Sequence, residues 1–230
     1  MKEKKVLLVG DRKNSTNHLA IEKCFHAYNN RRKIITFEWV STQKIDLDLI
    51  HHFDGVWLTP GGPYQNDENV LRLINFMRLK VDIPFIANCS GFQYSIIEYF
   101  RNSVGLPEAT SEELHSNASN QVVKKLTCSL SGNVSQELQI LKGTLLQSII
   151  NKESHLGWYN CNYSLNNKYN SQLSNQGDWA ISATFEDEIR ALELPNKHFY
   201  LITLFQPAME IEHGQISPII LSFFCSIINN

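Results

Sequence analysis

No two of the five cysteines in this 230-residue chain stand in a C-x-x-C pair. Cys24, Cys89, Cys128, Cys161 and Cys225 are odd in number and widely spread, which speaks against a disulfide framework or a zinc site. Charge of one sign is also lacking. Against 21 Lys and Arg stand 23 Asp and Glu, for a formal net charge of -2, so there is no broad positive field to attract nucleic acid or an anionic membrane surface. Long apolar runs are missing as well. The N-terminal MKEKKVLLVG offers an apolar stretch of only about five residues, too short for a signal-peptide core or a membrane span, and reads as the first strand of a cytosolic protein. No internal repeat and no G-x-x-x-x-G-K-[ST] phosphate loop is found, and no metal or cofactor is expected.

What is present is core. With 43% hydrophobic and 19% charged residues, the chain has enough apolar surface for a single domain spanning 1–230. Lys5–Gly10, Ile34–Val40, Asp54–Pro60 and Pro84–Ala87 are short apolar runs that read as strands. Between and after them, Thr16–Tyr28, Asp67–Lys80 and Phe92–Phe100 carry helical spacing. This alternation predicts an α/β fold of three layers, a mostly parallel central sheet with helices on both faces. The second half predicts a smaller antiparallel set: strands at Val122–Leu130, Leu138–Leu141, Trp179–Phe185, Arg190–Leu194 and Phe199–Phe205. It also predicts a short helix from Leu145, a polar connection from Tyr163 to Gln176, and a last helix over Pro218–Ile228. His51 and His52 fall on a loop or the remote face.

One turn carries chemistry. Ile86-Ala87-Asn88-Cys89-Ser90-Gly91 sets a cysteine between a buried strand and an amphipathic helix, with glycine two residues later. That is a nucleophile elbow: a sharp strand-to-helix turn presents the side chain at the sheet's carboxyl edge, and glycine leaves room for the backbone. The helix N-terminus favours the thiolate. Thr59-Pro60-Gly61-Gly62 ends the preceding strand, so its loop is expected beside the elbow, where open α/β sheets bind ligands. Amides of that loop, with the amide of Ser90, would form an oxyanion hole.

Over nearly its whole length the sequence resembles the glutaminase domain of CTP synthase, a class I glutamine amidotransferase. DGVWLTPGG resembles the family's oxyanion loop, IPFIANCSGFQYSIIEYFRNSVGL its elbow and following helix, and ATSEEL its glutamine-binding segment. HLGWYNCNY resembles the stretch before and after the family's substrate-side tyrosine, and FYLITLFQPAME the strand that delivers the catalytic His-x-Glu. The resemblance implies that Cys89 is the nucleophile, that Gly61, Gly62 and Ser90 are oxyanion positions, and that Gln93, Glu113 and Tyr159 face the substrate.

Three departures cut against glutaminase activity. Gln206 stands where the general base belongs and Ala208 where its orienting acid belongs. A glutamine amide does not titrate near neutrality, so it neither takes the thiol proton nor gives one to leaving ammonia. Trp158 replaces the arginine that clamps the substrate carboxylate, which removes a planar, bidentate partner. His213, and after it His155, are the candidates for a substitute base. The expectation is therefore a CTP synthase-type amidotransferase-like protein without a synthetase part in these residues, and one not competent as a glutaminase. Its partner would be a small molecule with an acyl or amide group taken up covalently by Cys89, or else a partner protein held by a non-catalytic module, with a homodimer as the assembly left open. The alternative is a working glutaminase that uses His213 or His155.

Overall fold

Ten strands and six α-helices make up the residues that a computed structural model describes, 3–30, 35–175 and 177–229; the strands at Thr110–Ser111 and Ser154–Leu165 and the helix at Asn170–Asn175 are not among those the sequence spacing implies. The strands are β1 (Lys4–Val9), β2 (Ile35–Val40), β3 (Gly55–Leu58), β4 (Phe85–Asn88), β5 (Thr110–Ser111), β6 (Gln121–Ile140), β7 (Ser154–Leu165), β8 (Ala180–Phe185), β9 (Glu188–Glu193) and β10 (Tyr200–Thr203). The helices are α1 (Thr16–Asn29), α2 (Asp67–Leu79), α3 (Ser90–Asn102), α4 (Leu145–Ile150), α5 (Asn170–Asn175) and α6 (Pro218–Asn229). Among the described residues no single helix is long and apolar enough to cross a membrane.

All ten strands share one sheet, ordered β2-β1-β3-β4-β10-β9-β8-β6-β5, with β7 also paired to β6. From β2 to β10 every neighbour is parallel. From β10 through β9 and β8 to β6 and β7 the pairing is antiparallel. The parallel strands are covered on both faces, which is why VLLV, GVWL and FIAN read as unbroken apolar runs. On one face, Phe25 of α1 packs 4.7 Å from Phe224 of α6, and Trp57 of β3 lies 5.9 Å from Phe223. On the other, α2 and α3 are joined by a buried ion pair, Arg78 to Glu98.

The second half departs from the expected layout. The two strands expected at 122–130 and 138–141 are one strand, β6, whose register against β7 shifts on both sides of Leu130. Such bulges break the period-two alternation by which a strand is read from sequence. The polar connection expected from Tyr163 is not a loop. It begins inside β7, passes a 3-10 turn at Asn167–Tyr169 and enters α5, anchored by buried Tyr169 and Leu173. Helix α3 starts at Ser90, two residues before the expected Phe92. His51 and His52 end an exposed 3-10 turn, Leu47–His52. Ile34 and Gln176, the expected ends of a strand and of the polar connection, lie outside the described residues.

Asp11 ties the loops at the carboxyl edge of the first strands together. Its carboxylate accepts from the Ser41 hydroxyl at 2.8 Å, the Thr42 amide at 3.0 Å and the Gln65 amide at 2.7 Å. Burial pushes this carboxyl up, but the amide of Gln65 and the donors of Ser41 and Thr42 together hold it below its ordinary value. A depressed carboxyl contributes stability that is complete above the unfolded value of about 3.9 and is lost as pH falls through the folded value. Asp11→Asn is therefore expected to destabilise the protein by about 1–3 kcal/mol at pH 7 and to flatten its loss of stability in acid, as read from urea unfolding at pH 7 and pH 3.

Candidate functional site

β4 ends at Asn88 and α3 begins at Ser90, so Cys89 alone makes the turn. Its backbone sits at φ 55°, ψ -109°, a conformation that costs a β-carbon-bearing residue on the order of 1–3 kcal/mol and persists only where the surroundings impose it. They do so through three contacts. The Cys89 amide donates to the Thr203 carbonyl at 2.9 Å. The Asn88 side chain accepts from Trp57 Nε1 at 2.8 Å and donates to Thr203 Oγ1 at 2.8 Å. At Gly91 a β-carbon would stand 3.0 Å from both Ala87 Cβ and the Leu58 carbonyl, so the second residue after Cys89 has to be small for α3 to start this close to the sheet.

A cavity of about 260 Å³ opens beside the Cys89 sulfur. Of the residues singled out from sequence, Gly61, Gly62, Ser90, Gln93 and Glu113 line it with Cys89. The oxyanion expectation needs one correction. The Gly62 amide is not free for a ligand, because it donates to Ser90 Oγ at 2.8 Å; the Gly61 amide remains, and the Ser90 amide lies beside the Cys89 sulfur. Gln93 likewise spends its amide nitrogen on the Tyr163 carbonyl, at 2.7 Å, which pins β7 against α3 and leaves its oxygen for the cavity. Glu113 keeps one side in solvent, while loss of water on the cavity side raises its carboxyl above the ordinary value.

The remaining expected site residues lie elsewhere. Trp158 stacks on His213 with ring centroids 4.0 Å apart and an interplanar angle of 19°, and neither lines the cavity. Tyr159 is buried beside Phe205 and Arg190. Gln206 is buried with neither amide atom hydrogen-bonded, while its backbone N–H donates to the Trp158 carbonyl at 2.8 Å. Ala208 is buried and its carbonyl accepts from Cys24 Sγ. His155 sits 3.2 Å from Glu210, an acid-base pair in the wrong place: it precedes Cys161 by six residues of β7, about 20 Å at the rise of a strand.

Among the lining residues that the sequence did not single out, two bear on the chemistry. His18, in the first turn of α1, accepts from the Lys13 amide through Nδ1 at 2.9 Å, and its Nε2 lies 2.7 Å from the Pro60 carbonyl. A carbonyl only accepts, so Nε2 carries the proton and no imidazole lone pair is left to take one from Cys89. His18 latches the Gly61-Gly62 loop to the start of α1; Ser15 capping the helix three residues earlier was the available signal. Cys161 is the second. It lines the cavity with Cys89, and the carbonyl of Asn160, the residue before it, accepts from the Cys89 sulfur at 3.8 Å.

These neighbours set the thiol's acidity. Hydrogen bonding from Cys161 outweighs burial, and with the hydroxyl and amide of Ser90 it brings Cys89 below its ordinary value despite the opposing charge of Glu113. Cys161 is pushed the other way, because its proton is the one being shared. The cavity thus brings the Cys89 thiol beside the Gly61-Gly62 loop, and the histidine that lines it has both ring nitrogens engaged.

No protein-family profile matches the chain. Curated relatives do. The chain is 27% identical over 237 residues to a CTP synthase of Sulfolobus acidocaldarius, covering 96% of this chain and 45% of the relative. It is 28% identical over 205 residues to a CTP synthase of Archaeoglobus fulgidus, covering 82% and 37%. It spans less than half the length of these relatives. Among solved structures, the glutaminase domain of Trypanosoma brucei CTPS with bound acivicin superposes with a TM-score of 0.85 at 20% identity, over 99% of this chain and 94% of that one. A glutamine amidotransferase from Thermotoga maritima gives 0.59 at 13% identity, over 99% and 97%. In sequence the chain is thus similar to part of CTP synthase, and in fold to the glutaminase domain of such an enzyme.

Proposed function

We propose that this domain is an acyl-accepting cysteine site rather than a glutaminase. The observation that carries this reading is the cavity itself: Cys89 is held on its elbow with a stabilised sulfur, while the one histidine among the described lining residues has both nitrogens engaged. Attack of the Cys89 thiolate on a carbonyl carbon forms a C–S bond and places negative charge on an oxygen facing the Gly61 and Ser90 amides. What then leaves decides the substrate. Ammonia leaves only if it is given a proton, and the histidine lining the cavity has both nitrogens engaged with other groups. A thiolate leaves without help, since its conjugate thiol has an ordinary pKa of about 8.5. The chemistry therefore favours a thioester or activated ester over a primary amide, with the acyl group passing to Cys89 and the leaving thiolate taking its proton from water.

Polar lining and the absence of an arginine clamp in the cavity favour a small uncharged acyl group. Within a cell, reduced thiols of this kind belong to the cytoplasm. The test is incubation with a short acyl thioester of N-acetylcysteamine and, separately, with glutamine. Intact mass and peptide mapping are expected to show acyl on Cys89 at least about tenfold faster than on exposed Cys128, since Cys89 sits at the N-terminus of α3 and Cys128 does not, and no ammonia from glutamine. Acylation no faster than at Cys128 would sink the proposal, as would sustained ammonia release that disappears on substituting His213 or His155.

A further inference from the structure

Cys161 is an unexpected second sulfur in the same cavity. Its residue is 7% exposed and that of Cys89 5%, so both thiols are largely withdrawn from bulk water yet share one solvent-connected space. The Cys89 sulfur also donates to the carbonyl of Asn160, the residue immediately before Cys161, at 3.8 Å, which fixes β7 and the elbow side by side. The ladder between β6 and β7 is irregular here: Cys161 pairs with Leu130 between two register shifts. A strand with bulges on either side of one residue has local freedom that a regular ladder lacks. Cys24, Cys128 and Cys225 do not line the cavity.

We infer that Cys89 and Cys161 form a reversible disulfide, with a hydroperoxide as oxidant, that closes the cavity. The Cys89 thiolate attacks one peroxide oxygen, the O–O bond breaks, and the departing alkoxide or hydroxide takes a proton from water, leaving Cys89 as a sulfenic acid. The Cys161 thiol then attacks the Cys89 sulfur, an S–S bond forms, and the sulfenic oxygen leaves as water with the Cys161 proton. Two molecules of a small thiol return the pair to the reduced state and are themselves joined as a disulfide. The roles are set by the site. Cys89 has the donors that stabilise a thiolate, so it reacts first; Cys161 keeps its proton and resolves. The inference rests on the nucleophilic Cys89 alone and not on its accepting an acyl group.

The test uses the whole chain, reduced and then treated with stoichiometric hydrogen peroxide. Wild-type protein is expected to lose the mass of two hydrogen atoms, to yield a non-reduced peptide joining Cys89 to Cys161, and to recover its starting mass with dithiothreitol. Cys161→Ser and the apolar Cys161→Val, checked for unchanged circular dichroism, are expected to gain one oxygen atom on Cys89 instead. The inference is overturned if wild-type protein accumulates the same oxygen adducts as Cys161→Val, or if the only disulfides formed join Cys128 between molecules. Acyl-thioester labelling of the reduced protein is read in parallel. Bridge formation with no acylation would sink the acyl proposal and leave this one standing, and the converse result would do the reverse.

Discussion

Introducing Gln206→His together with Ala208→Glu is expected to raise turnover of a p-nitrophenyl ester by about 10²–10⁴-fold, the range a positioned general base contributes. The strand that precedes position 206 lies beside the elbow. β10 runs parallel to β4 with Thr203 opposite Asn88, and the Thr203 carbonyl holds the Cys89 amide. Position 206 therefore leaves the sheet three residues beyond the strand that supports the elbow. The Gln206 amide makes no hydrogen bond with either atom, so its replacement breaks nothing. Ala208 is 4% exposed, and a carboxylate there needs a partner. Ala208→Glu alone is accordingly expected to lower stability, whereas with histidine at 206 the two side chains satisfy each other. Gln206→His alone should give a smaller gain. Steady-state release of p-nitrophenol after the initial acylation burst is the measurement; a folded double variant that turns over no faster than wild type would show that position 206 does not reach the sulfur.

Glu98→Ala is expected to cost roughly 3–5 kcal/mol of stability, because it strands a buried guanidinium. Arg78 and Glu98 form a two-point pair, Nε to Oε2 at 2.9 Å and Nη2 to Oε1 at 3.0 Å, with side chains 6% and 0% exposed. Asn75 and Asn102 also donate to the same carboxylate, at 2.7 and 3.1 Å, and Arg78 lies over the Tyr99 ring. Removing the carboxylate leaves all of these donors unpaired between α2 and α3. The double variant Arg78→Met, Glu98→Leu removes both charges and is expected to recover most of the loss, since burial of a matched pair brings little net stabilisation over apolar packing. Urea unfolding midpoints distinguish the two. A single variant within about 1 kcal/mol of wild type would mean that water reaches the pair. Because α3 carries the elbow at its other end, Cys89 alkylation rates in Glu98→Ala report whether the damage travels along the helix.

The parallel half of the sheet was legible because its strands are buried on both sides, so hydrophobicity alone marks them. The elbow was legible because a turn between such a strand and a helix needs small residues at fixed offsets, and Gly91 has the close contacts that explain why. The antiparallel half was harder to read. Bulges along β6 scramble its alternation, and α5 is built from Asn and Ser, weak helix formers held in place by tertiary packing. Within the site, Cys161 carried no motif because its partner lies 72 positions away in sequence and meets it only through the pairing of β7. His18 looked like one more residue of a helix. Glu98, in an otherwise apolar stretch, gave no hint of Arg78, since the two meet only where α2 and α3 pack.

The bond from the Cys89 amide to the Thr203 carbonyl has an evolutionary reading. It is made by main chain alone, so it does not depend on which side chain occupies position 206 or 208. Selection on those two positions can relax without disturbing the elbow, and the elbow can persist while serving another reaction. The shape of the turn and the chemistry performed on it are in this sense separately adjustable.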